Sequence, residues 1–169
     1  MVAARSLWEK LDRVFACRHA VTKADIETHA THQGRAAMHV VVSGSRGLVG
    51  SALVPFLTTG GHRVTRLVRG APANSDEAVW NPSRGLAEPS RFDGVDAVVH
   101  LAGENIAAGR WTPARKAEIR QSRVEGTRSL CESLARLAHP PKLLVSASAI
   151  GFYGDRGAQT LTEESGAGS

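Results

Sequence analysis

The sequence predicts an α/β fold built on a doubly wound parallel sheet. Short β-branched runs alternate with helical segments, a glycine-rich turn joins the first strand to its helix, and no tight hairpin signal breaks the alternation. The 169 residues, 42% hydrophobic and 22% charged, match one domain with enough apolar side chains for a core. Collagen-like, low-complexity and disordered classes are excluded. No apolar run approaches the roughly 18–20 residues that span a bilayer, so no membrane association is expected. Two cysteines, Cys17 and Cys131, cannot form a disulfide framework, and MVAARSLWEKLDRVF lacks the apolar stretch of a signal peptide. The expected location is therefore cytoplasmic.

Residues 1–37 differ in character from the rest. Between Ser6 and about His29, Leu7, Leu11, Val14 and Phe15 recur at helical spacing among charged residues, with Val21 and Ile26 continuing the stripe loosely. Residues 31–37 read as a polar linker. A domain over 38–169 then opens with the strand MHVVVS (38–43), whose continuous apolar character predicts burial on both faces. The next helix spans about 48–59, with a kink expected at Pro55 and a stop at Gly60 and Gly61. HRVTRLV (62–68) is a second strand. Residues 69–94 are dense in Gly and Pro and leave room for a short strand near 78–80 and a helical turn near 89–92. VDAVVHL (95–101) is the fourth strand. Thr112 and Pro113 cap a helix to Ala138, expected to break near Gly126, and LLVSAS (143–148) is the fifth strand. The sheet reads as truncated after that fifth strand.

The strongest local signal is Gly44-Ser45-Arg46-Gly47-Leu48-Val49-Gly50, between the first strand and its helix. Gly44 allows the tight turn, Gly47 close approach to a pyrophosphate, and Gly50 close helix-to-strand packing, while N–H groups at the helix start face the anion. This makes the fold Rossmann-type and the loop a dinucleotide cradle; the alternative is a glycine-rich turn with no ligand. An NAD site calls for an acid about 20 residues on, to bind the ribose hydroxyls. Here the position 19 after Gly50 is Arg69, and no Asp or Glu occurs from Gly44 to Ser75. Arginine suits a 2′-phosphate, so NADP is expected in preference to NAD, with Arg46 and Arg66 as further candidates.

With this loop, the segments HLAGENIAAGRW, IRQSRVEGTRSL and SASAIGFYGDRG make residues 38–169 resemble the extended, atypical short-chain dehydrogenase/reductases. The closer resemblance is to the subgroup of NAD(P)-dependent epimerase family proteins. LDRVFACRHAVTKADIETH is similar to the end of a START-like domain fused upstream in some members. The resemblance implies an NADP-binding, epimerase/dehydratase-like oxidoreductase domain, acting by hydride transfer on a hydroxyl or carbonyl of a nucleotide-sugar-like substrate. It places Leu101, Ala102 and Gly103 along the cofactor, and Ser148, with Ser146 second, at the reacting group. The superfamily's Tyr-x-x-x-Lys is not matched by Tyr153, because Gly157 stands where the lysine would be. The C-terminal catalytic part is thus expected to be lacking. A non-catalytic NADP-binding or redox-sensing module is the alternative.

Glu104, after the fourth strand, is a candidate acid/base group, and Arg110 a candidate for a substrate phosphate. Cys17, His19, His29 and His32 match no standard zinc spacing, so no metal is expected. Arginines along 113–138 alternate with acids and lack aromatic partners, which predicts a solvated face and no nucleic-acid partner despite the net charge of +5. The resemblance allows a homodimer through that helix.

Overall fold

A computed structural model describes residues 2–168 of the chain, with side-chain surroundings from Leu7 onward. Six strands, β1 (His39–Ser43), β2 (Arg63–Val68), β3 (Glu77–Asn81), β4 (Gly85–Leu86), β5 (Ala97–His100) and β6 (Leu143–Ser146), form one sheet ordered β4-β3-β2-β1-β5-β6. Every pairing is parallel except β3 with β4. From β1 the chain winds outward through β2 and β3, then returns to place β5 on the other side of β1. That reversal opens a crevice at the carboxyl ends of β1 and β5, where open α/β sheets bind ligands.

Helix α2 (Leu48–Thr59) crosses from β1 to β2, and α3 (Pro113–Ala135) from β5 to β6. Alternation in β1 divides the core between the two faces. Val40 and Val42 join Val64 and Ala97 beneath Val54 and Leu57 of α2, whereas Val41 joins Leu67, Trp80, Phe92 and Val98 beneath Leu130 and Leu134 of α3. Helix α2 closes with His62 N–H on Leu57 O (3.1 Å) and Gly61 N–H on Thr58 O (3.0 Å), and Gly61 has φ +84°. This is the hydrogen-bond pattern of a Schellman stop.

Two sequence expectations are corrected. The sheet has six strands because β3 and β4 form a hairpin: Asn81 Oδ1 accepts the Ser83 N–H (2.8 Å), Asn81 O accepts that of Arg84 (3.0 Å), and Gly85 turns the chain at φ +82°. Two-residue strands leave too little periodicity to read. The helix over 113–138 ends at Ala135 and is unbroken at Gly126, which is buried near Trp80 and Pro82 and serves helix-to-sheet packing. Helix α2 continues through Pro55. The apolar stripe of α1 (Val2–Thr31) is not buried: Leu7, Val14 and Phe15 are more than half exposed, and the described ring contact to the domain is His29 stacked on Phe56 at 4.5 Å. No described helix is long and apolar enough to cross a membrane.

Candidate functional site

Beta strand β1 ends at Ser43, a fully buried residue whose Oγ accepts N–H groups from Leu101 (3.1 Å) and Ala102 (3.2 Å). With both lone pairs engaged, the hydroxyl proton goes to His100 Nδ1 at 2.7 Å. The His100 ring is therefore the neutral tautomer protonated at Nε2, and burial pushes its pKa below the ordinary histidine value. His100 Nε2 and Trp80 Nε1 are both buried without a hydrogen-bond partner, the two rings meeting edge to face at 5.6 Å. This network locks the start of the post-β5 loop against the glycine turn. At Gly44, φ is +67° and an added Cβ would lie 2.7 Å from Leu101 C; at Gly50 it would lie 2.3 Å from Gly44 O.

Between these two loops lies a cavity of about 440 Å³. Gly44, Ser45, Arg46 and Gly47 form one wall, Leu101, Ala102, Gly103 and Glu104 the other, and Arg69 stands at the rim. Helix α2 starts at Gly47 with no side-chain cap and no acid in its first turn, so its leading N–H groups and dipole are available to an anion. A glycine cradle, an uncapped helix start and a basic rim fit a dinucleotide with its pyrophosphate over Gly44–Gly47.

The arginines separate by partner. Arg66 is paired with Asp76 (2.8 Å) and Glu77 (3.6 Å), which removes it as a phosphate ligand. Arg46 gives one nitrogen to Glu77 at 2.9 Å. Arg69 has no hydrogen bond or ion pair among the described residues, and its charge acts across the cavity on Glu104, adding to the lowering of that carboxyl. Glu104 accepts from Arg115 at 2.8 Å, and this guanidinium holds its carboxyl below the usual carboxylate range. A carboxylate so held is an acceptor and a poor proton donor. Its backbone is fixed too, with Glu104 N–H on Ser122 Oγ (3.0 Å) and Arg123 Nη1 on Glu104 O (3.1 Å).

Other expected site residues stand outside the cavity lining. Leu48 and Val49 are 92% and 60% exposed, so α2 offers only their backbone N–H groups; Gly50 acts through packing. Ser146 sits in register with His100 on exposed β6, and Ser148 lies exposed beyond it. Tyr153 meets the Phe152 ring at 5.3 Å in a 3-10 turn. Sequence reasoning missed Ser43, Ser122 and Glu77. The last carried a usable signal, since Asp76 and Glu77 follow directly on the acid-free stretch.

The model of the NAD dependent epimerase/dehydratase family matches residues 40–169. The chain belongs to this family. An epimerase family protein of Mycobacterium bovis is 43% identical over 130 residues, 77% of this chain and 42% of the relative. The chain thus spans about two fifths of the length of that curated relative. Among solved structures, a nucleoside-diphosphate sugar epimerase from Corynebacterium glutamicum superimposes with a TM-score of 0.74 at 38% identity, covering 92% of this chain and 33% of that one. Human epimerase family protein SDR39U1, solved with NADPH, gives a TM-score of 0.58 at 32% identity over 69% of this chain and 38% of its own.

Proposed function

We propose that residues 38–168 form the NADP(H)-binding portion of an epimerase/dehydratase-like oxidoreductase. The cavity between Gly44–Gly47 and Leu101–Glu104 is the cofactor site, and the unpaired guanidinium of Arg69 at its rim is the observation that carries NADP over NAD. NADPH in the human relative supports this choice. When bound, the nicotinamide supplies or accepts hydride at a substrate carbon bearing a hydroxyl or carbonyl. The first-turn N–H groups of α2 hold the pyrophosphate, Arg69 meets the adenosine 2′-phosphate, and the Ser43–His100 network keeps Leu101–Gly103 against the dinucleotide. Glu104, kept anionic by Arg115, accepts from a ribose or substrate hydroxyl. A nucleotide-sugar-like substrate and a cytoplasmic setting belong to the same reading.

A non-catalytic NADP-binding module is the second reading, favoured by a cavity whose lining contains no tyrosine and excludes Ser146 and Ser148. Calorimetric titration tests the cofactor assignment. NADPH is expected to bind more tightly than NADH, and Arg69→Ala to lower NADPH affinity about tenfold to a hundredfold, as for loss of a charge-assisted contact, with NADH little changed. Equal wild-type affinities would refute the phosphate argument. Turnover of a nucleotide sugar with bound NADP+ separates the two readings.

A further inference from the structure

Glu77, the first residue of β3, is 1% exposed, yet it reaches the cavity through its partners. Its Oε1 accepts from Arg46 Nη2 (2.9 Å) and lies 3.6 Å from Arg66 Nη2, while Oε2 accepts the Ala73 N–H at 2.7 Å. One carboxylate therefore ties the glycine loop, the end of β2 and the segment that follows Arg69. These contacts, the Ala73 N–H first and Arg46 next, hold its carboxyl below the usual range.

Arg46 is different in kind. Its side chain is 71% exposed and lines the cavity, and its described hydrogen bond goes to Glu77. An exposed arginine loses rotamer freedom when it clamps an anion; a guanidinium already tethered through one nitrogen has lost much of it and keeps its other N–H groups to offer.

We propose that Glu77 is a specificity-determining residue, which positions Arg46 to bind the adenosine 2′-phosphate opposite Arg69 and so sets the preference for NADPH. The inference rests on the NADP(H) reading above. Glu77 touches no cofactor in this account; it acts through Arg46. Its negative charge would by itself repel a phosphate, but two guanidinium groups already face it, so the tether outweighs the repulsion. The two effects have opposite signs: loss of the tether lowers the NADPH preference, and loss of the repulsion raises it.

Calorimetric titrations of the whole chain with NADPH and NADH read the affinity ratio. Glu77→Gln is expected to lower the NADPH preference about tenfold while NADH affinity stays within about twofold, and to change nothing further in an Arg46→Ala background. Arg46→Lys, at an exposed position and independent of whether the buried variant folds, is expected to lose as much preference as Arg46→Ala, because an ammonium lacks the fork that spans carboxylate and phosphate. An unchanged or raised preference in Glu77→Gln, an equal loss of both cofactors, or full preference in Arg46→Lys overturns the proposal. Wild-type protein that binds neither cofactor refutes the cofactor reading itself, and this inference with it.

Discussion

At Gly44 a positive φ and the approach of Leu101 coincide, so a side chain there meets both backbone strain and a backbone clash. Gly44→Ala is expected to destabilise the fold by about 1–3 kcal/mol, read as a lower urea midpoint. An unchanged midpoint would mean that the 101–102 segment yields freely. The glycine was legible in the sequence because its turn is local. The reason for Ser43 was not, since its partners at 100–102 meet it only through the pairing of β1 with β5. Arginine roles divide the same way: the sequence shows four arginines and no acids between Gly44 and Ser75, but only the fold shows Asp76 and Glu77 engaging Arg66 and Arg46, and His39 meeting Arg63.

At the scale of elements, α1 is the richer in apolar residues, 15 of 30 against 8 of 23 in α3, yet the two have opposite fates. Helix α3 buries Leu130 at 1% exposure against the sheet, whereas Phe15 on α1 is 52% exposed. Leu130→Ala is expected to cost about 2–5 kcal/mol, and Phe15→Ala less than about 0.5 kcal/mol, in equilibrium denaturation of the domain. A large cost at Phe15 would show that the α1 stripe is covered in solution. Helical periodicity identified α1 and the Thr112–Pro113 capping signal identified α3, but neither signal says what a face packs against. The β3–β4 hairpin escaped for the converse reason: its strands are too short for a period, and its signal lay in Asn81, Pro82 and Gly85.

For the whole molecule, buried titratable groups couple the sheet to pH. Burial lowers the pKa of His39 and of His100 from 6.5, with Arg63 adding to the effect at His39. The unfolded chain therefore binds more protons than the folded one below that value. Stability present above pH 6.5 is lost as pH falls through it, at no more than about 1.4 kcal/mol per pH unit for each histidine. Glu77 and Glu104, lowered from 4.5 by the Ala73 N–H and by Arg115 respectively, add a second loss below about that pH. Urea midpoints should fall from pH 8 to pH 5 and again toward pH 3.5, with His100→Asn flattening the first limb. A flat profile down to pH 5 would contradict the buried neutral histidines.

The sequence by itself determined the alternation of strands and helices, the glycine cradle and the absence of an acid where a ribose would need one. These are set by local periodicity, by backbone conformations that only glycine adopts easily, and by the order of charges along one strand. Tertiary structure alone decided that Arg66 is ion-paired and Arg69 is not, that Ser43 and His100 bind each other, and that a buried Glu77 reaches Arg46. Each of those facts depends on parallel strands, distant in the chain, bringing ionic and polar groups within hydrogen-bond range of one another.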